Sequence, residues 1–301
     1  MKDVLAQPIQ IGHLQAKNRI LMPPMYRPWS SPSGKISDRH VAYYRERAEG
    51  GVGTIVVETT AVRPNYRLSE ANIGIWADEH IEGLSKIARV IRSNNVLAFI
   101  QINHTPLDRP LTSQEIARIR DAFVAAAQRA QKADFQGVEL HAAHGFLLSR
   151  LLSSQFNQQN DEYGGSTAGR MRLLAEIATL AWENTDSDFV LGIRLGVDSL
   201  REGIQIARKL SPLVDYLSIS SGAADSASIP VPPGYPFSST VYRAEQIKPH
   251  VKVLVVAVGE IKTGNTARRI LNEGIADLVA VGTAILMDPR WPEKALQMPT
   301  T

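Results

Sequence analysis

Leu97-Ala-Phe-Ile-Gln-Ile102, answered further along by Gly137-Val-Glu-Leu-His141, is the stretch on which the fold turns. Each run is short and nearly continuous in apolar residues, as strands covered on both faces are. Between them, Thr112-Ser-Gln-Glu115 has the spacing of a capping box, in which two side chains satisfy each other's backbone N–H groups. Ile116, Ile119, Phe123 and Ala127 then recur at helical spacing as far as about Ala133. Strand, helix and strand in that order predict a βαβ unit, whose two strands run parallel.

The same unit repeats in both directions. Upstream, Arg19 to Met22 precedes a helix over Ser37 to Glu49, and Thr54 to Val57 precedes one over Ile81 to Ser93. That second helix carries Leu84, Ile87, Ala88 and Ile91 on one face. Downstream of His141 a long polar loop runs to Gly165, and a helix follows from Ser166 to Asn184. Phe189 to Arg194, Tyr216 to Ser220, Val251 to Val258 and Asp277 to Val281 read as the remaining strands. The first three lead into helices at Ile204 to Leu210, Ser239 to Lys248 and Lys262 to Asn272; the last leads to a stretch holding Asp288-Pro289. Eight such units predict an α/β fold closed as a TIM (β/α)8 barrel, in one domain spanning residues 1–301. A doubly wound open sheet is the rival, and no G-x-G-x-x-G follows the first strand to favour it.

Composition narrows the function. The chain has no cysteine, which excludes disulfides, thiolate zinc sites, iron–sulfur clusters and cysteine nucleophiles. Lysine and arginine number 33 against 30 acidic residues, interspersed as in Arg45-Glu46-Arg47, and aromatics make up 6%. That is no footprint for nucleic acid. No apolar run approaches the ~18 residues of a membrane span. Met1 to Gln15 lacks the apolar stretch of a signal peptide, so a cytoplasmic protein is expected.

In a TIM barrel, chemistry sits where strands end and βα loops begin. Pro23-Pro24-Met25-Tyr26, Glu58-Thr59-Thr60, Gln101, His141 to His144, Arg194, Ser220-Ser221-Gly222, Gly259 and Gly282 all stand at such ends. Two neutral imidazoles three residues apart, His141 and His144, can donate together to one carbonyl or phenolate oxygen. A metal pair and a structural role compete with that reading, and no H-E-x-x-H pattern supplies a further ligand. Arg194 suits the negative charge of a reduced cofactor or a substrate oxyanion, or else a surface ion pair. Gln101 suits the donor–acceptor edge of a heterocycle, or a purely structural bond. Gly259 and Gly282 follow the last two strands, the usual phosphate site of these barrels, although tight empty turns need glycine too.

Several stretches in fixed order then add a resemblance: Leu14-Gln-Ala-Lys-Asn-Arg-Ile-Leu-Met-Pro-Pro-Met25, Gly74-Ile-Trp-Ala-Asp-Glu-His80, His141-Ala-Ala-His-Gly145, Asn160-Asp-Glu-Tyr-Gly-Gly165 with Arg170, and Ser220-Ser-Gly222. Across nearly its whole length the chain resembles the Old Yellow Enzyme family, FMN-dependent ene-reductases on a TIM barrel, and above all its shorter bacterial members. The resemblance implies that Pro23, Pro24, Met25 and Thr59 line the isoalloxazine, with Gln101 on its pyrimidine edge and Arg194 by N1 and O2. It implies Gly259, Gly282 and Thr283 at the FMN phosphate, and His141 with His144 on the substrate's activating oxygen. In such enzymes NADPH or NADH reduces FMN, FMN gives hydride to the β-carbon of an activated alkene, and a tyrosine protonates the α-carbon. A homo-oligomer is compatible with this reading.

The chain departs from the pattern at three places. Phe146 stands where that tyrosine is expected, and phenylalanine has no proton to give. Tyr26 is a candidate replacement donor, with packing or tuning of the flavin potential as its other reading. After the third strand, Asn103-His104-Thr105-Pro106 replaces an H-x-G-R motif and the long excursion that roofs the pocket in relatives, predicting a reduced capping region. Thr283 stands where relatives carry a phosphate-binding arginine, predicting weaker FMN binding. The expected activity is FMN-dependent reduction of a small-molecule activated alkene by NAD(P)H. The alternatives are an isomerase or slow oxidase using the same hydride chemistry, or a flavin-binding protein without efficient turnover.

Overall fold

The computed structural model describes residues 3–223 and 229–297. The chain opens with an antiparallel hairpin, β1 (Ile9–Ile11) and β2 (Leu14–Ala16). Eight parallel strands follow: β3 (Ile20–Met22), β4 (Thr54–Ala61), β5 (Leu97–Asn103), β6 (Gly137–Ala142), β7 (Val190–Val197), β8 (Tyr216–Ser221), β9 (Leu254–Val258) and β10 (Leu278–Ala280). Each pairs with the next, and β10 returns to β3 through Val279 opposite Ile20 and Ala280 opposite Leu21. The sheet is a closed barrel with helices between its strands, so the open-sheet alternative falls.

Alternation along β5 shows why these residues make that wall. Ala98, Ile100 and Ile102 join the outer core, where Leu84, Ile87, Ala88 and Ile91 meet Ile116, Ile119 and Phe123 from the next helix. Leu97 and Phe99 belong to a separate inner cluster with Leu21, Val56, Val190, Tyr216, Val256, Leu278 and Ala280. Successive side chains on a strand face opposite ways, so one apolar run serves both cores. Ile11 and Ala16 of the hairpin complete the inner cluster and plug the N-terminal end of the barrel. The Tyr216 ring crosses the barrel where Gly192 leaves room; a Cβ there would lie 2.1 Å from the ring.

The helices match the sequence reading with informative exceptions. The predicted capping box forms: Thr112 Oγ1 accepts from Glu115 N at 3.2 Å, and Glu115 Oε2 accepts from Thr112 N at 2.9 Å. The stretch expected to be polar loop up to Gly165 instead contains a six-residue helix, Leu147–Leu152. Its Leu147, Leu148, Leu151 and Leu152 are buried, and six residues are too few for a period to show. The helix expected from Ile204 starts earlier, at Leu200. β9 starts later than expected, at Leu254, and a 3₁₀ turn over Lys248–His250 precedes it. Two short helices, Thr283–Met287 and Trp291–Gln297, finish the described chain. Residues 104–112 alone join β5 to its helix, so the capping region there is indeed small. Among the described residues no helix is long and apolar enough to cross a membrane.

Candidate active site

Above the apolar inner cluster, polar side chains from β5 to β8 meet inside the barrel. Gln101 on β5 donates through Nε2 to Glu139 Oε1 on β6 at 2.8 Å, and Tyr216 on β8 donates to Glu139 Oε2 at 3.2 Å. All three are buried. Burial pushes the Glu139 carboxyl up from its usual range, while Arg194 on β7, Gln101 and Tyr216 pull it back. Burial likewise lowers Arg194, with Glu139 opposing. With Nε2 donating to Glu139, Gln101 has its Oε1 left for another partner.

One layer higher, the end of β6 brings the two imidazoles together. His144 adopts φ 58°, a left-handed conformation uncommon outside glycine, which folds the chain back after Ala142 and Ala143. Its backbone N–H is held by Ser221 O at 3.2 Å. His141 Nε2 lies 3.0 Å from His144 Nδ1, and His144 Nε2 lies 2.7 Å from Ser220 Oγ on β8. Arg194 Nη2 donates to the same Ser220 Oγ at 3.5 Å. The rings therefore form a chain with each other and with Ser220. Burial pushes His144 down to about 3 and His141 well below its usual value, with the Arg194 charge adding to both. Both imidazoles are neutral at physiological pH. The Phe146 ring packs 4.4 Å from His141.

The remaining sequence candidates ring this core. Pro23, Pro24 and Met25 follow β3 directly, and Thr59 is buried on β4. Gly282 follows β10; a Cβ there would lie 3.3 Å from Pro23 Cγ and 3.6 Å from Met25 Sδ. Gly259 follows β9 at φ 121°, where a Cβ would strike Thr240 Oγ1 at 2.0 Å and Ser238 Oγ at 2.6 Å, so only glycine fits. Thr283 is exposed as the first residue of its short helix. Tyr26 shares a 2.5 Å hydrogen bond with Ser69 Oγ, which ties the segment after β3 to the loop after β4. Arg27 N, next in sequence, donates to Glu58 Oε2 at 2.6 Å.

Glu139 and Tyr216, which orient Gln101, were not among the sequence candidates. Glu139 carries a visible signal: it is the charged residue of an apolar strand, two positions before His141 and hence on its face. Tyr216 carries none, because its hydroxyl reaches the network only by crossing the barrel.

The model of the NADH:flavin oxidoreductase / NADH oxidase family matches residues 4–110 and 105–299. The chain belongs to that family. It is 36% identical to an NADPH dehydrogenase of Clostridium acetobutylicum, over 93% of this chain and 90% of that protein. An NADPH dehydrogenase of Bacillus subtilis is 34% identical over 100% of this chain and 96% of its own length. An NADH oxidase of Thermoanaerobacter brockii is 35% identical over 95% of this chain and half of the oxidase. Among solved structures, an old yellow enzyme homologue from Zymomonas mobilis superposes with a TM-score of 0.83 at 24% identity, covering 99% of this chain and 94% of that one.

The protein is thus an FMN-dependent oxidoreductase of the Old Yellow Enzyme kind, with NAD(P)H as reductant. Its residues fit that cofactor. His141 Nδ1, Arg194 Nε and Thr59 Oγ1 are buried polar atoms without a protein partner, three groups that a polar heterocycle or its substrate can satisfy. Bound FMN supplies two-electron transfer between NAD(P)H and a second substrate.

Proposed function

We propose that this oxidoreductase reduces the C=C bond of a small activated alkene, an enone or enal. The supporting observation is the neutral imidazole pair beside Arg194, directly above the Gln101–Glu139 layer. In this reading Gln101 meets the pyrimidine edge of the flavin and Arg194 its N1 and O2, where a fixed cation favours the reduced, anionic form. Pro23, Pro24, Met25 and Thr59 line the ring system, and Gly259, Gly282 and Thr283 approach the phosphate. His141 and His144 hold the carbonyl oxygen and stabilise the charge that develops there.

Neither ring is a source of protons in this reading, because both are neutral and resist charging. Phe146 adds none. Tyr26 is the tyrosine of the segment after β3, but its hydroxyl is engaged by Ser69. Water entering past the short 104–112 connection is the proton source. Anaerobic NADPH addition followed by an enone in D₂O tests this. The expected result is a bleached flavin band, reoxidation by the enone, and deuterium at the α-carbon on both faces. Deuterium on one face only would point to a fixed donor, and Tyr26→Phe would then identify or acquit Tyr26.

Phe146 favours one second reading, an isomerase that returns the hydride. The same incubation shows it as an isomerised alkene without net NADPH consumption.

A further inference from the structure

We infer that Arg63 binds the 2′-phosphate of NADPH and so makes this enzyme prefer NADPH to NADH. The two reductants share their nicotinamide, riboses and pyrophosphate and differ only in that phosphate. A preference therefore needs a fixed cation with donors to spare, set outward from the flavin. The cations on the segments that lead from β3, β4, β5 and β6 to their long helices can be sorted on that requirement.

Most are already engaged. Lys35 pairs with Glu79 at 3.0 Å, Arg150 with Asp108 at 2.6 Å, and Arg109 meets both carboxylate oxygens of Glu115. Arg27 donates to Tyr26 O at 3.3 Å and to Tyr43 Oη at 3.2 Å. Arg67 donates to Pro32 O at 2.7 Å and to Glu70 O at 3.3 Å. Among the described residues of these four segments, Arg63 is the one such cation with neither a hydrogen bond nor an ion pair. Lys262 is also unpaired, but it follows Gly259 in the turn proposed for the flavin's own phosphate.

Arg63 is nonetheless held. Its guanidinium lies over the Tyr66 ring, 4.9 Å from the centroid, which uses none of its five N–H donors. The Tyr66 ring in turn stacks on His104, with centroids 4.4 Å apart and 19° between the planes. Backbone bonds fasten the two loops beneath this stack: Thr105 N donates to Tyr66 O at 3.2 Å, and Val62 N to Asn103 O at 3.0 Å. Burial, with the Arg63 charge adding, holds His104 at about 4, so the lowest layer is neutral at physiological pH. The planar fork of a half-buried arginine matches two phosphate oxygens at once.

Position favours the outermost phosphate. Arg63 stands four residues beyond Thr59, up to ~13 Å farther from the barrel floor. With the nicotinamide on the flavin, the adenosine half of the dinucleotide extends outward to that height. The inference rests on the flavin placement proposed above, and not on the alkene as acceptor.

The unreactive tetrahydro forms of NADP and NAD, titrated into the oxidised FMN-loaded protein and followed by flavin absorbance, test it. The wild-type protein is expected to bind the phosphorylated form about tenfold more tightly, with the margin narrowing as salt rises. Arg63→Gln is expected to lower that ratio about tenfold, while Arg63→Lys keeps the charge and part of the preference. Tyr66→Leu removes the ring under the guanidinium and is expected to lower the ratio about threefold. Anaerobic reduction of the flavin by NADPH and by NADH should follow the same order. Equal affinities in the wild-type protein, or a ratio unmoved by Arg63→Gln, would overturn the inference alone. Weakened FMN binding in Arg63→Gln would overturn the flavin placement, and the inference with it.

Discussion

At the residue scale, the proposed function turns on two positions, Thr283 and Phe146, and each makes a measurable statement. On the proposed reading of the phosphate site, Thr283 offers a hydroxyl where an arginine would give a charge-assisted bond. Thr283→Arg is expected to tighten FMN binding about tenfold, or ~1.4 kcal/mol, read by fluorescence titration of the apoprotein. An unchanged Kd would mean that the phosphate lies elsewhere. Phe146 packs on His141, where the proposed alkene reduction would call for a proton donor. Phe146→Tyr is expected to raise enone turnover and confine the α-deuterium to one face. His141, His144 and Arg194 were legible in the sequence as polar residues at the ends of apolar strands. The order of their hydrogen bonds was not, because it depends on Ser220 from a strand 76 residues after His144.

At the element scale, caps and tight contacts decide where each unit begins and how closely it packs. The Thr112–Glu115 box was readable because both partners lie within one turn of the same helix. Thr112→Ala removes an acceptor for Glu115 N and is expected to cost about 1 kcal/mol, visible in the urea midpoint. Gly192→Ala would drive a methyl group into the Tyr216 ring. A loss of about 1–3 kcal/mol is expected, as for other overpacked cores, with the Tyr216–Glu139 bond disturbed as well. The helix Leu147–Leu152 escaped the sequence reading for the opposite reason. Its leucines are buried by what they pack against, not by a period long enough to recognise.

At the scale of the whole molecule, buried titratable groups set the pH range of stability. Burial lowers His40 and His104 to about 4 and His144 to about 3, from an ordinary value of 6.5. Between those limits the unfolded chain binds protons that the folded chain refuses, so stability is lost as pH falls below 6.5. Glu58 acts the other way. Enclosed by the Tyr44 hydroxyl and Arg27 N, it is pushed by burial from 4.5 up to about 8. Its contribution is complete below 4.5 and is lost as pH rises to 8. Denaturation midpoints measured from pH 4 to 9 are therefore expected to fall on both sides. Glu58→Gln should flatten the upper side; an unchanged upper limb would show that Glu58 is ionised at neutral pH.

The sequence by itself determined the eight-fold strand–helix alternation, and hence the parallel barrel. Local periodicity and caps are properties of neighbours in the chain, so no tertiary knowledge is needed to read them. It also determined that the polar residues gather at the strand ends. Only the tertiary structure decided that the Ile9–Ala16 hairpin plugs the barrel floor and that Tyr216 crosses it to reach Glu139. It alone decided that Arg194 and Ser220 are brought within hydrogen-bond distance of each other and of His144. These contacts join residues from different strands, and closure of the sheet brings them together.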